Sequence, residues 1–120
     1  MPSTIQPMLV TPDVARLLSF YRDLLGAEVT ERYPKDGAVF FTLLRIGGAD
    51  LGIVADADVE TGTPQRMLLS VRVENVDDLL TRVEALHGTV LGRPNDMPWG
   101  ERVAHIKDPD GNAVNLTQKI

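Results

Sequence analysis

Cysteine is absent from the 120 residues, which excludes disulfides, thiolate nucleophiles and cysteine-ligated zinc. Histidine is scarce: only His87 and His105 could donate an imidazole, and no motif places them together. Aromatic residues make up 5% of the chain, so large flat contact surfaces rest on few side chains, among them a single tryptophan, Trp99. Apolar runs are too short to span a bilayer, and the opening MPSTIQPML lacks the basic-then-apolar order of a leader; no membrane partner and a cytoplasmic location are expected. Basic residues are outnumbered 17 to 12, for a net charge of −5, and they are scattered. That balance argues against a nucleic-acid partner, which calls for a basic face. It suits a cationic small molecule and equally serves solubility.

What is there reads as one α+β domain, residues 1–120, built from two similar modules. The first, over about 4–55, opens with a strand near Thr4–Val10. A helix follows, with Thr11 as cap, Pro12 in its first turn and Val14, Leu17, Leu18, Tyr21, Leu24 and Leu25 at helical spacing. Gly26 stops that helix. Strands are then expected over Ala27–Tyr33, Ala38–Ile46 and Asp50–Ala55, the last two joined by Gly47-Gly48. Residues 56–65 are polar and punctuated by glycine and proline, as in a linker. The second module, about 66–118, repeats the plan: a strand over Arg66–Val73 and a helix capped by Asn75, with Asp78 three residues on. Its stripe is Val76, Leu79, Leu80, Val83 and Leu86, with Gly88 as the stop and His87 set to complement the helix dipole. Strands Thr89–Arg93, Arg102–Lys107 and Ala113–Thr117 close it, and Asp110-Gly111 turns the final hairpin.

Leu17/Leu79, Leu18/Leu80, Leu24/Leu86 and Gly26/Gly88 all lie 62 residues apart, and Gly48/Gly111 lie 63 apart. One register thus relates the halves, and it supports two βαβββ modules better than any single motif.

Together with that order, the helix ending "FYRDLLG", the "GGADLGI" hairpin and the closing "DPDGNAVNL" resemble the vicinal oxygen chelate superfamily over essentially the whole chain. That group includes glyoxalase I, extradiol dioxygenases, some epimerases, fosfomycin-resistance enzymes and bleomycin-resistance proteins. The resemblance implies that each module forms half of an open barrel around a cavity. It also implies a homodimer, with strand exchange, whose subunits complete each other's cavities. In metal-dependent members four ligands enter the cavity, typically His, Glu or Gln. Carried over on the helix and hairpins, those points fall at Gln6, Gly52, Leu68 and Asn115. A glycine and a leucine have no donor side chain, and two neutral amides hold a divalent ion poorly against water. A slip of one residue brings in Ile5 or Pro7, Leu51 or Ile53, Met67 or Leu69, and Val114 or Leu116. No metal, no cofactor and no catalytic residue are therefore assigned.

Strand alternation gives the expected lining: Gln6 and Met8; Asp50, Gly52 and Val54; Leu68, Ser70 and Arg72; Ala113, Asn115 and Thr117. On the hairpin's first strand Phe40, Thr42 and Leu44 are taken for the core, leaving Phe41 and Leu43 with Arg45 on the cavity side; a slip exchanges the phenylalanines. If Ala104 and Ile106 face the core, Val103 and His105 face the cavity. His105 is then a polar handle or a surface histidine. Met97 and Trp99 fall in a loop, NDMPWGER, with prolines on either side. Trp99 serves as a platform for a planar guest or plugs the barrel end or dimer interface; the resemblance to bleomycin-resistance proteins favours the first.

The expected function is a metal-free, drug-binding protein that sequesters a bulky hydrophobic or aromatic natural product, aromatic or cationic, as in antibiotic self-resistance. Two alternatives stand beside it. One is a lyase, isomerase or dioxygenase relative using an unrecognised metal arrangement, or His105 or Glu101 as base. The other is a non-catalytic regulatory or interaction module.

Overall fold

The computed structural model describes residues 5–120, so Thr4, the expected start of the first strand, lies outside the described residues. The chain divides into two compact units, Met1–Glu60 and Thr61–Ile120. Its secondary structure is mixed α+β, two sheets with one principal helix each.

In the first unit β1 (Met8–Thr11) leads into α1 (Val14–Leu25), and then come β2 (Glu28–Tyr33), β3 (Phe41–Ile46) and β4 (Ala49–Ala55). The sheet order is β1-β4-β3-β2, with β1 parallel to β4 and the other pairs antiparallel. Helix α1 is capped by Asp13, not Thr11: the Asp13 side chain accepts from the Arg16 N–H at 3.1 Å. Thr11 still belongs to β1, fully buried, and its hydroxyl accepts the Asp13 N–H instead. Pro12 accordingly precedes the cap. The helix ends at Gly26, whose φ of +71° gives the left-handed C-cap that glycine adopts without strain. Leu17, Phe20, Tyr21 and Leu24 bury the inner stripe, and Phe20 packs edge-on against Tyr21 with ring centroids 5.2 Å apart. Across from them lie Thr42, Leu44, Leu51 and Ile53, all buried. Phe40 is not part of that core: it sits ahead of β3 and is 58% exposed.

The second unit runs β5 (Leu68–Arg72), α2 (Val76–Val83), a 3₁₀ turn (Glu84–Leu86), β6 (Thr89–Val90), β7 (Asn95–Met97), β8 (Glu101–Lys107) and β9 (Ala113–Lys119). Its sheet is β5-β9-β8, and β6 and β7 share the far edge of β8. Instead of one strand over Thr89–Arg93 there are two short ones. Gly92, at φ +102°, breaks the ladder, and Pro94 has no N–H to continue it. The proline-flanked loop therefore contains a strand, and Trp99 sits in the turn of the β7–β8 hairpin. Asn75 caps α2 by accepting from the Asp78 N–H at 3.0 Å. Val76 and Val83 are buried from α2, and Ala104, Ile106, Val114 and Leu116 from the sheet.

The stop of this helical segment is His87, not Gly88. His87 takes φ +71°, and the Gly88 N–H reaches back to the Val83 carbonyl at 3.0 Å. A side chain in the left-handed region carries strain that glycine avoids, offset in part by the greater freedom of glycine in the unfolded chain. His87→Gly is therefore expected to raise stability by about 0.5–1 kcal/mol in denaturant titration. A loss of stability would mean that the imidazole supplies more than a cap. No helix among the described residues is long and apolar enough to cross a membrane.

Candidate functional site

Each sheet has one face against its helix and one open face, and cross-strand partners share a face. In the first unit Met8 pairs with Gly52, and Gly52 with Leu43. In the second, Ser70 pairs with Asn115, and Asn115 with His105. The two rows are related by the same 62- or 63-residue offset as the helices and hairpins. Equivalent places thus carry opposite chemistry, apolar in the first unit and polar in the second.

Around the apolar row the open face adds Val10, Val54, Phe41 and, through the Tyr33–Phe41 pair, Tyr33. Met8, Val10 and Tyr33 are exposed. Gly52 is closely covered. A Cβ built there would run into the Met8 thioether, with the Met8 Cε at 2.7 Å and the Phe41 ring edge at 3.0 Å. Glycine is what lets the thioether lie against the strand. Gln6, two residues ahead of Met8, precedes the strand and is exposed. Asp50 is paired with Arg45 at 3.2 Å, so its charge is already matched. An open cavity of about 670 Å³ lies beside this face, lined by Thr30, Glu31, Arg32, Tyr33, Lys35 and Phe41.

Tyr33 and Glu31 were not expected here, and simple alternation would have misplaced them. Val29 pairs with Leu44 on the helix side, yet Glu31 pairs with Leu43 on the open side. A bulge between Val29 and Glu31 reverses the parity. The signal available in the sequence was Thr30-Glu31 in an otherwise apolar-alternating strand, which does not locate a bulge.

On the second sheet the lanes are Leu68–Ala113–Lys107, Ser70–Asn115–His105 and Arg72–Thr117–Val103. Leu68 is 53% exposed and faces Ala113, so it is separated by one lane from Asn115. His105 Nδ1 lies 2.7 Å from Asn115 Oδ1. Met97 pairs with Glu101. The Trp99 indole N–H donates to one Glu101 oxygen at 2.8 Å, and Arg72 donates to the other at 2.8 Å. Glu101 therefore neutralises Arg72 and sets the angle of an indole that is 66% exposed. Gly100, at φ +92°, closes the turn that presents Trp99, with its N–H on the Met97 carbonyl.

Beneath this turn Arg102 donates to both oxygens of Asp96 and to Asp77 of α2, tying the hairpin to the helix. The hydrogen bond from Arg102 holds the Asp96 carboxyl below its ordinary value of 3.8; desolvation opposes the shift and the charge of Arg102 adds to it. Arg102 is raised in turn, first by that hydrogen bond, then by the charges of Asp96 and Asp77. A lowered carboxylate stabilises the fold above its unfolded value, and the contribution is lost as pH falls through the lowered value. In Arg102→Gln, carboxyl-detected NMR titration should show Asp96 moving up towards 3.8. An unmoved value would show that another group holds it.

Among the described residues no group of three or more His, Cys, Asp or Glu is placed to hold a metal ion. Taken one by one, Gly52 and Leu68 have no donor side chain, the Gln6 and Asn115 side chains are neutral amides, and the space beside Gly52 is taken by Met8. These residues do not fit a divalent cation.

The chain is α+β, two related modules each with a helix on one face of its sheet. The chain belongs to the Glyoxalase/Bleomycin resistance protein/Dioxygenase superfamily, which it matches over residues 4–116. It is 28% identical to an uncharacterized protein of Mycobacterium bovis, Mb0911c, over 97% of this chain and 83% of that one. Its fold is that of a glyoxalase/bleomycin resistance protein/dioxygenase family enzyme from Burkholderia phytofirmans PsJN, with a TM-score of 0.81 at 21% identity over 96% and 97% of the two chains. It is also that of a bleomycin resistance determinant encoded on the transposon Tn5, with a TM-score of 0.69 at 18% identity over 98% of each. Members of this superfamily bind small molecules and often dimerise.

Proposed function

We propose that this chain is a metal-independent binding protein that sequesters a bulky apolar or aromatic small molecule, as in resistance to an antibiotic or natural product. The observation that supports the reading is Gly52: the Met8 thioether and the Phe41 edge take the space a side chain would need there, which makes an apolar floor where the family resemblance puts a metal ligand. Such a surface favours contact with carbon-rich guests. The exposed Trp99, angled by Glu101, supplies a rigid aromatic platform at little cost in conformational entropy. Met97, which precedes it in the same hairpin, adapts to irregular shapes. The likeness to a bleomycin resistance determinant supports the same direction. In this reading the protein works in the cytoplasm as a homodimer, each copy closing the other's open faces.

Because Trp99 is the only tryptophan, its fluorescence reports the site directly. Titration with bleomycin-type glycopeptides, mitomycins, enediynes and anthraquinones, with chelator present throughout, should give saturable quenching by at least one class with Kd of about 1 μM or tighter, equivalent to roughly −8 kcal/mol. No saturable change across the panel overturns the proposal.

A further inference from the structure

The second open face holds a side-chain pair outside the Trp99 cluster. His105 Nδ1 faces Asn115 Oδ1 at 2.7 Å, across adjacent strands of one sheet. An amide oxygen only accepts hydrogen bonds, so Nδ1 carries a hydrogen, and in the neutral ring the lone pair is then on Nε2. His105 is exposed, and Nε2 has no partner among the described residues. A neutral histidine without such a partner favours the Nε2–H tautomer and presents a donor there instead. Here the choice is made by Asn115.

The surroundings narrow what this acceptor takes. Lys107 is the next residue on the same side of β8, and its positive charge favours a donor whose oxygen gains negative character. Leu68, exposed in the neighbouring lane, offers contact for an apolar ring. An acidic hydroxyl on a flat hydrocarbon meets both conditions. At the equivalent row of the first unit stand Met8, Gly52 and Leu43, which accept nothing, so this demand is made at one row only.

We infer that the His105–Asn115 pair is a tautomer-locked acceptor that recognises the hydroxyl of a phenolic guest, with His105 as the contact and Asn115 as a positioning residue. The inference rests on the binding role proposed above and adds the chemical class of the guest.

The test uses the full-length protein labelled with ¹⁵N-histidine. Long-range ¹H–¹⁵N spectra at neutral pH should show His105 in the Nδ1–H form. Added 2-naphthol should shift the Nε2 resonance and bind about tenfold more tightly than 2-methoxynaphthalene, which has the same rings and no hydrogen to give, as expected for one well-made hydrogen bond. Asn115→Leu should release the Nε2–H form and bring the two affinities to about parity, whereas Asn115→Asp, which keeps an acceptor, should retain the preference. An Nε2–H ring in the wild-type protein, or equal affinity for naphthol and its ether, overturns the inference. If neither compound binds, the phenolic class is wrong, and the glycopeptide titration of Trp99 decides the binding role separately.

Discussion

Asp108→Ala should lower stability by about 3 kcal/mol, the largest effect expected from any single polar substitution here. Asp108 is 2% exposed in the connection between β8 and β9. Its carboxylate accepts from the backbone of Asp110 at 3.0 Å, the backbone of Asn112 at 2.9 Å and the Asn112 side chain at 2.9 Å. Hydrogen bonds to a charged group contribute roughly 1.5–3 kcal/mol each, and three on one acceptor do not add in full. Alanine also leaves the buried N–H groups without that acceptor. The loop is further pinned by its close approach to Gly62: the Gly62 N–H donates to Asp110, and a Cβ on Gly111 would lie 3.0 Å from the Gly62 Cα. Denaturant unfolding distinguishes the cause, because Asp108→Asn keeps one acceptor oxygen and should lose only about half as much. If the alanine variant stays within about 1 kcal/mol of wild type, the turn is held by its backbone bonds alone.

The second large effect is expected at Gly52. Gly52→Glu puts a carboxylate at a position that the family resemblance assigns to a metal ligand, where a latent chelate would gain affinity for divalent ions. On the present geometry it should do the reverse of what a metal enzyme gains. The new Cβ must displace the Met8 thioether and press on the Phe41 edge, an overpacking cost of about 1–3 kcal/mol. The side chains that meet position 52 are a thioether and an aromatic edge, and neither joins a carboxylate in holding a hard divalent ion. Thermal unfolding should therefore fall, and isothermal titration with zinc or manganese should show no binding tighter than wild type. A variant that keeps full stability and binds zinc at micromolar concentration would show that the apolar floor is not what keeps metal out.

The internal repeat was the most legible feature of the sequence. Leu17 and Leu79, or Gly26 and Gly88, are tied to helix faces and ends by local physics, and local physics repeats when sequence does. Even so, the second helix stops one residue early, because His87 takes the left-handed conformation before Gly88 is reached. The cap moved from Thr11 to Asp13 for a similar reason: two good capping residues lay close together, and burial of Thr11 in β1 decided between them. Alternation needs an uninterrupted ladder, and the bulge in β2 hid Tyr33 from it. The strand Asn95–Met97 was masked by prolines at 94 and 98, which flank it without entering it.

The site was legible only as residue types. That Glu101 joins Trp99 to Arg72, 29 residues away in sequence, depends on β8 lying beside β9 and β9 beside β5. The match of His105 with Asn115 depends on the register of the final hairpin, set by the Asp110-Gly111 turn and the bonds to Asp108. Neither pairing has a local signature. The Met8 thioether over Gly52 is likewise a consequence of parallel pairing between segments 44 residues apart.

Metal content is the most direct measure of the central claim. Protein expressed in ordinary medium and purified without chelator should carry less than about 0.1 divalent ion per chain by elemental analysis, since two neutral amides do not outcompete water for such an ion. One tightly held ion per chain, released only by chelator and restoring melting temperature on return, would contradict the account.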